Sequence, residues 1–329
     1  MVRNKRVVIL GGGTGGLIAS NLLAHFGGYN ITLLEKSDIH YFQPGSLWVA
    51  FQGHDPNRYQ KPISALVKPG VSLVKDNVTD VNLDERKVRT ESDKEYDYDY
   101  LVIALGVSYD LDLVEGFREA TIKYGNSFAG IKNAKKLWEN FPELKEGKLV
   151  IAAADPSYKC PPAPHKAAFL AADTLKKRGL REKVEVTLAV PFVREYPSET
   201  VAEIIKPKLN NAGIKTLTMF TAEKIDMEAK KIYSMEGDEL SYDLLSIVPA
   251  QSGPEVNVHP DSAVDEDNYF KVDKHSLRIL DYDDAFAIGD CNNAPTSKTG
   301  VTAHLSAEVV AHAINGYHKR FTGRTNCPI

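Results

Sequence analysis

The chain has 329 residues, enough for two or three domains, and its 43% hydrophobic and 26% charged residues describe a protein that buries a core rather than a disordered one. Lys and Arg number 40 against 44 Asp and Glu, a net charge of −4, which is too weak a field for a nucleic-acid binder. Three cysteines exclude a disulfide scaffold, so a cysteine pair here points to catalysis rather than to structure.

Residues 7–34 carry no Asp, Glu, Lys or Arg and follow Arg3, Lys5 and Arg6, an outline shared with signal peptides and membrane spans. Five glycines within positions 11–16 interrupt the run, and no clean cleavage site follows. The sequence therefore predicts neither a cleaved signal nor a transmembrane helix. It predicts instead a buried strand at 6–10, a helix over 17–26 and a second strand at 30–34 ending at Glu35. Between strand and helix stands G-x-G-x-x-G at Gly11, Gly13 and Gly16, and the acid lies 19 residues past Gly16. The glycines permit a tight turn and close approach of a pyrophosphate, and the helix N-terminus offers it free N–H groups. Glu35 suits both hydroxyls of an adenosine ribose without a 2′-phosphate. A glycine-rich turn without a ligand is the plain alternative, disfavoured by the complete strand–turn–helix–strand–acid context.

Residues 71–96 read as short polar strands, a β-meander, and 100–106 (YLVIALG) as a buried strand ending at Gly106. A similar strand at 285–288 ends in Gly289 and Asp290. The segment FAIGD (286–290) resembles the second flavin motif of two-dinucleotide-binding-domain flavoproteins, in which the Asp bonds the ribityl chain. The fold class expected is α/β with two Rossmann-like domains, as in glutathione-reductase-like flavoproteins. The FAD-binding domain is split between 1–110 and 255–329. The second domain, 111–254, has strands at 148–154, 184–190, 214–219 and 244–249 and helices at 165–178 and 199–211.

That second domain lacks a nicotinamide fingerprint. Its first strand is followed by DPSYKCPPAP (155–164), with no glycine anywhere from 148 to 178. Prolines 161, 162 and 164 supply no N–H groups to a pyrophosphate. Cys160 stands in the lost loop, before a helix start marked by Pro164 and beside Lys159, a setting that favours a thiolate. An inert buried cysteine is the alternative, against which the rigid proline loop argues. His165 is either a base or a loop cap.

The segments YKCPPAP (158–164), FAIGDCNN (286–293), PTSKTG (295–300), GRTNCP (323–328) and HYFQPG (40–45) together resemble the sulfide:quinone oxidoreductase family, over essentially the whole chain. The flavocytochrome-type sulfide dehydrogenases share that architecture. The resemblance implies a redox pair, Cys160 and Cys327, that sulfide opens by thiol–disulfide exchange. One cysteine becomes a persulfide, and the other passes two electrons to FAD and on to a quinone. It implies flavin contacts from Lys36, Pro44, Gly106, Gly289 and Asp290. Lys298, Thr299 and Gly300 would open a helix over 301–315 aimed at the flavin ring where negative charge develops; a solvated loop lysine is the alternative for Lys298. Cys291 is read as structural. With no cysteine in residues 1–159, FAD is expected to be noncovalent. Relatives continue for some tens of residues past the second cysteine, with amphipathic helices that bind the membrane and help enclose the quinone, which leaves membrane attachment and a complete quinone pocket open for this chain. The expected setting is peripheral to a membrane or cytoplasmic, without nucleic acid, and compatible with a homo-oligomer. Three other readings stand beside this one: a type II NADH dehydrogenase, a flavoprotein handing electrons to a haem partner, and a non-enzymatic FAD-bound subunit.

Overall fold

The structure, a computed structural model, describes residues 4–327. The chain divides into two compact units. The first holds the residues up to Tyr41 with Lys61–Ser108 and Ser252–Cys327; the second holds Phe42–Gln60 and Tyr109–Gln251. The sequence placed 42–60 with the first unit. It packs with the second because the apolar helix Gly45–Gln52 buries Leu47, Val49 and Phe51 in that unit's core, Phe51 edge-on to Phe141.

The first unit is built on a five-stranded parallel sheet ordered Ala285–Ala287, Tyr100–Ile103, Lys5–Leu10, Tyr29–Glu35, Val71–Lys75. Val7 to Leu10 are buried, an unbroken apolar run that suits a central strand covered on both faces. Helices Thr14–Phe26 and Gly300–Ile314 pack against each other. The Tyr29 hydroxyl donates to the Ile314 carbonyl at 3.1 Å and so ties the end of the last helix to the second strand. Residues 71–75 correct one expectation. They are not part of the meander but extend the parallel sheet beside Tyr29–Glu35. The meander begins at Val78–Asn82 and continues through Lys87–Thr90 and Glu95–Asp97, with Asn257–His259 on its outer edge.

The second unit carries a four-stranded parallel sheet ordered Lys215–Thr218, Val184–Val190, Gly147–Ala153, Leu244–Val248. Helices Ala163–Lys177 and Glu199–Asn211 connect its strands, and an antiparallel ribbon, Ala222–Asp226, Lys231–Ser234 and Glu239–Ser241, precedes the last of them. Gly147–Ala153 is central and continues to Val184–Val190 on one side while Leu244–Val248 returns on the other. Its carboxyl end is therefore a topological switch point, the place where open α/β sheets bind ligands. The first unit has its own switch point after Lys5–Leu10, between that strand and Tyr100–Ile103. Among the described residues no helix is long and apolar enough to cross a membrane.

Candidate functional site

At the first switch point the glycines are required by geometry. Gly11 leaves the central strand with φ +93°, and a Cβ there would stand 2.5 Å from the Ala104 carbonyl oxygen. A Cβ on Gly16 would meet the Gly11 oxygen at 1.8 Å, so only glycine lets the helix start against the strand end. Gly13 is different: nothing lies within 4 Å of where its Cβ would be, which leaves open space at the head of the helix. The helix Thr14–Phe26 has no side-chain cap and no acid in its first turn, so the N–H groups and positive dipole end there are available to an anion. Glu35 closes the turn from the next strand. Its Oε2 accepts from the Gly12 amide at 2.5 Å and its Oε1 from the Ser37 amide at 2.7 Å. A carboxylate has about four acceptor positions, so two remain for ribose hydroxyls. Lys36 is exposed at the end of that strand, and His40 Nδ1 lies 3.2 Å from the Gly12 carbonyl.

The returning segment brings a second group of residues to the same unit. Gly106, at φ +75°, follows Tyr100–Ile103, and Gly289, at φ +70°, follows Ala285–Ala287. Asp290 Oδ1 is buried with no hydrogen-bond partner in the protein. A buried carboxylate oxygen without a donor is costly, and a ligand hydroxyl would satisfy it. Lys298 Nζ donates to the Asn292 carbonyl at 2.6 Å and stands 4.0 Å from the centre of the Tyr269 ring. Burial pulls its pKa below the usual lysine range, against the opposing pull of the Asp290 carboxylate. Thr299 caps the final helix by accepting from the Thr302 amide at 3.1 Å, and Gly300 is that helix's first residue. Cys291 is fully buried, its Sγ 3.3 Å from the Ile103 carbonyl, and burial pushes its thiol up to about 11, as suits a structural cysteine. An open cradle, an uncapped helix start, an acid at the ribose position and an orphaned buried carboxylate together fit FAD.

Cys327 belongs to this first unit. The Thr325 hydroxyl meets Thr299 Oγ1 at 2.8 Å, and Thr296 Oγ1 donates to the Gly323 carbonyl at 3.0 Å. The tail is thus bonded to the residue that caps the final helix. Cys327, half-buried, follows two residues later, its Cα within about 7 Å of the Thr325 Cα.

Cys160 belongs to the second unit, in the loop between Gly147–Ala153 and Ala163–Lys177, at that sheet's switch point. Its φ of +55° is left-handed, which costs a non-glycine residue about 1–2 kcal/mol. Its carbonyl accepts from the Ala163 amide at 2.7 Å, which sets the helix start. The helix has no side-chain cap and no acid in its first turn. The neighbouring cation is not the one expected. Lys159 turns to Gln43 Oε1 at 2.7 Å and to the Tyr109 ring. Lys166 reaches back instead, its Nζ 3.8 Å from Cys160 Sγ. A residue in the first helical turn can fold over the loop that enters the helix, whereas an adjacent residue points away. That placement depends on where the helix starts, which sequence adjacency does not give. Pro44 precedes helix Gly45–Gln52 in this unit, next to Gln43.

His165 is 0% exposed, with Nε2 2.6 Å from the Glu195 carbonyl and its ring against Tyr196. Burial lowers its pKa, opposed by the carbonyls of Glu195 and Pro161. Glu195 is itself buried and paired with Lys206 at 2.8 Å. A neutral imidazole without solvent access, bonded to a neighbouring loop, has the features of the loop cap rather than of an exchanging base.

A family model described as pyridine nucleotide-disulphide oxidoreductase matches residues 5–151. The mitochondrial sulfide:quinone oxidoreductase of Mus musculus is 28% identical over 98% of this chain and 75% of its own length. The crystal structure of the sulfide:quinone oxidoreductase from Aquifex aeolicus superposes with a TM-score of 0.83 at 23% identity, covering 95% of this chain and 76% of that one. The mitochondrial sulfide:quinone oxidoreductase of Dictyostelium discoideum is 30% identical, covering 98% of this chain and 75% of the relative. With that identity sustained over nearly the whole chain, this protein belongs to the sulfide:quinone oxidoreductase family of FAD-dependent oxidoreductases.

Proposed function

We propose that the protein oxidises sulfide through a Cys160–Cys327 redox pair and delivers the electrons to a quinone. The observation that carries this reading is Cys160 itself. It occupies the switch-point loop where a nicotinamide domain would keep its glycines, in a left-handed conformation, with an ammonium 3.8 Å from its sulfur.

In the oxidised pair, hydrosulfide attacks one sulfur of the bridge. A bond forms between the incoming sulfur and that cysteine as the Cys–Cys bond breaks, and the second cysteine leaves as a thiolate with the electron pair. The sulfide proton stays on the persulfide or passes to solvent. Transfer of the outer sulfur to a nucleophile such as a second sulfide frees the other thiolate. FAD held in the first unit would supply the two-electron redox chemistry that links re-formation of the bridge to reduction of the quinone. Lys166 stabilises negative charge at Cys160 whether that sulfur becomes the thiolate or carries the persulfide. Glu35 and the Gly11–Gly16 turn would hold the adenosine and pyrophosphate of FAD, Asp290 would take a ribityl hydroxyl, and Lys298 with the Thr299–Gly300 helix start would stabilise negative charge on the ring. His165 fixes the Cys160 loop to the 195 loop. FAD is held noncovalently. Quinones are lipid-soluble, so the encounter takes place at a membrane surface that the protein meets peripherally.

The test is anaerobic rapid mixing. Sulfide should bleach the flavin band of the wild type, NADH should not, and Cys160→Ser and Cys327→Ser should each retain FAD yet lose bleaching by sulfide. Bleaching of Cys327→Ser at the wild-type rate would remove the terminal cysteine from the pair. Bleaching by NADH would favour a nicotinamide-dependent dehydrogenase.

A further inference from the structure

We infer that His275 positions Cys327, as a latch on the segment that carries it; this rests on the reading of Cys327 as half of the redox pair. After helix Gly300–Ile314 the chain turns and runs back toward that helix's own N-terminus. Lys319 Nζ meets Glu308 at 2.7 Å, Phe321 is 3% exposed, and Gly323 and Thr325 bond Thr296 and Thr299. The segment has no regular secondary structure, so side-chain contacts and single hydrogen bonds hold it.

His275 makes three of those bonds. The Phe321 amide donates to the His275 carbonyl at 2.7 Å, His275 Nδ1 lies 3.2 Å from the Phe321 carbonyl, and Arg320 Nη2 lies 2.7 Å from His275 Nε2. The donor inventory fixes the protonation state. A guanidinium can only donate, so Nε2 must accept. A carbonyl can only accept, so Nδ1 must carry the proton. The latch is therefore the neutral Nδ1–H imidazole. A second proton on Nε2 would set an N–H against an N–H and a cation against the Arg320 cation. The other charged groups around the ring are Asp273, whose Oδ1 accepts from the His275 amide at 3.1 Å, and the flanking Lys274 and Lys319. Both ring nitrogens therefore bond the tail, Nδ1 to the Phe321 carbonyl and Nε2 to Arg320, beside the buried Phe321 ring and the Thr299–Thr325 bond.

The test uses the reduced holoenzyme under anaerobic conditions, with iodoacetamide labelling of Cys327 measured by mass spectrometry relative to Cys160 in the same sample. At pH 8, His275→Ala should label Cys327 about tenfold faster than wild type, the effect of one charge-assisted hydrogen bond. His275→Gln keeps an acceptor and a donor, so it should stay near wild type at pH 8; this comparison also serves if His275→Ala does not fold. Equal Cys327 labelling in His275→Ala and wild type at pH 8 overturns the latch. Faster labelling without slower bleaching by sulfide leaves the latch standing and instead removes Cys327 from the redox pair.

Discussion

Replacing Lys166 with methionine removes one charge and keeps the aliphatic stem. The ammonium stands 3.8 Å from Cys160 Sγ, and two unit charges at that distance attract by about 4 kcal/mol at an effective dielectric near 20. Lys166 is half-exposed, so solvent beside it reduces the net effect to about 1–2 kcal/mol. That free energy acts on the step in which negative charge appears on the sulfur. It corresponds to a loss of about five- to thirtyfold in the rate of flavin bleaching by sulfide. Lys166→Arg keeps the charge and should retain most of the rate. Because the contact is far shorter than the Debye length, added salt should change the wild-type rate little by this route. FAD content should be equal in all three proteins, since Lys166 lies in the second unit and the cradle in the first. A methionine variant that bleaches at the wild-type rate would show that the ammonium does not act on the reacting sulfur.

Gly16→Ala should purify without FAD and unfold at a lower temperature, because its Cβ would sit 1.8 Å from the Gly11 oxygen and must push the helix off the strand; absorbance at the flavin band and a melting curve read both effects. Glu35→Arg should weaken FAD binding at least tenfold, from loss of charge-assisted hydrogen bonds worth about 1.5–3 kcal/mol each. It should also lower the melting temperature of the apoprotein, since the carboxylate holds the Gly12 and Ser37 amides; titration of FAD into apoprotein and melting of that apoprotein separate the effects. Cys291 predicts an alkaline sensitivity. Its folded thiol is raised from 9.0 to about 11, so above pH 9 the unfolded chain loses a proton that the folded chain keeps. The stability this group contributes is present below that pH and falls by up to about 1.4 kcal/mol per pH unit until the folded thiol titrates near 11. Cys291→Ser should flatten that part of the stability–pH curve in denaturant melts and leave bleaching by sulfide largely intact.

The FAD cradle was legible in the sequence because every constraint on it is local. A strand that must be apolar on both faces, glycines forced by a tight turn and an acid at the next strand end all lie within residues 5–35, and short-range sterics fix their arrangement. The helix at 199–211 and the strand at 184–190 also have the bounds their periodicity predicts, for the same reason. The identity of residues 71–75 was not legible. A half-polar strand of five residues carries the same pattern at the edge of a parallel sheet as in a meander, and only its long-range pairing with Tyr29–Glu35 decides between them. Likewise, no local signal assigns 42–60 to a unit; its helix goes where Leu47, Val49 and Phe51 find a core. Around Cys160 the sequence determined that a proline loop replaces a glycine loop. Tertiary structure decided that Lys166 rather than Lys159 faces the sulfur and that His165 is buried against the 195 loop. The direction a side chain takes depends on backbone dihedrals and on neighbours brought in from afar. For the same reason no local signal places the tail that carries Cys327; its place is set by Thr299, Thr296 and His275, residues 28 to 52 positions away from Cys327 that only the fold brings beside the tail.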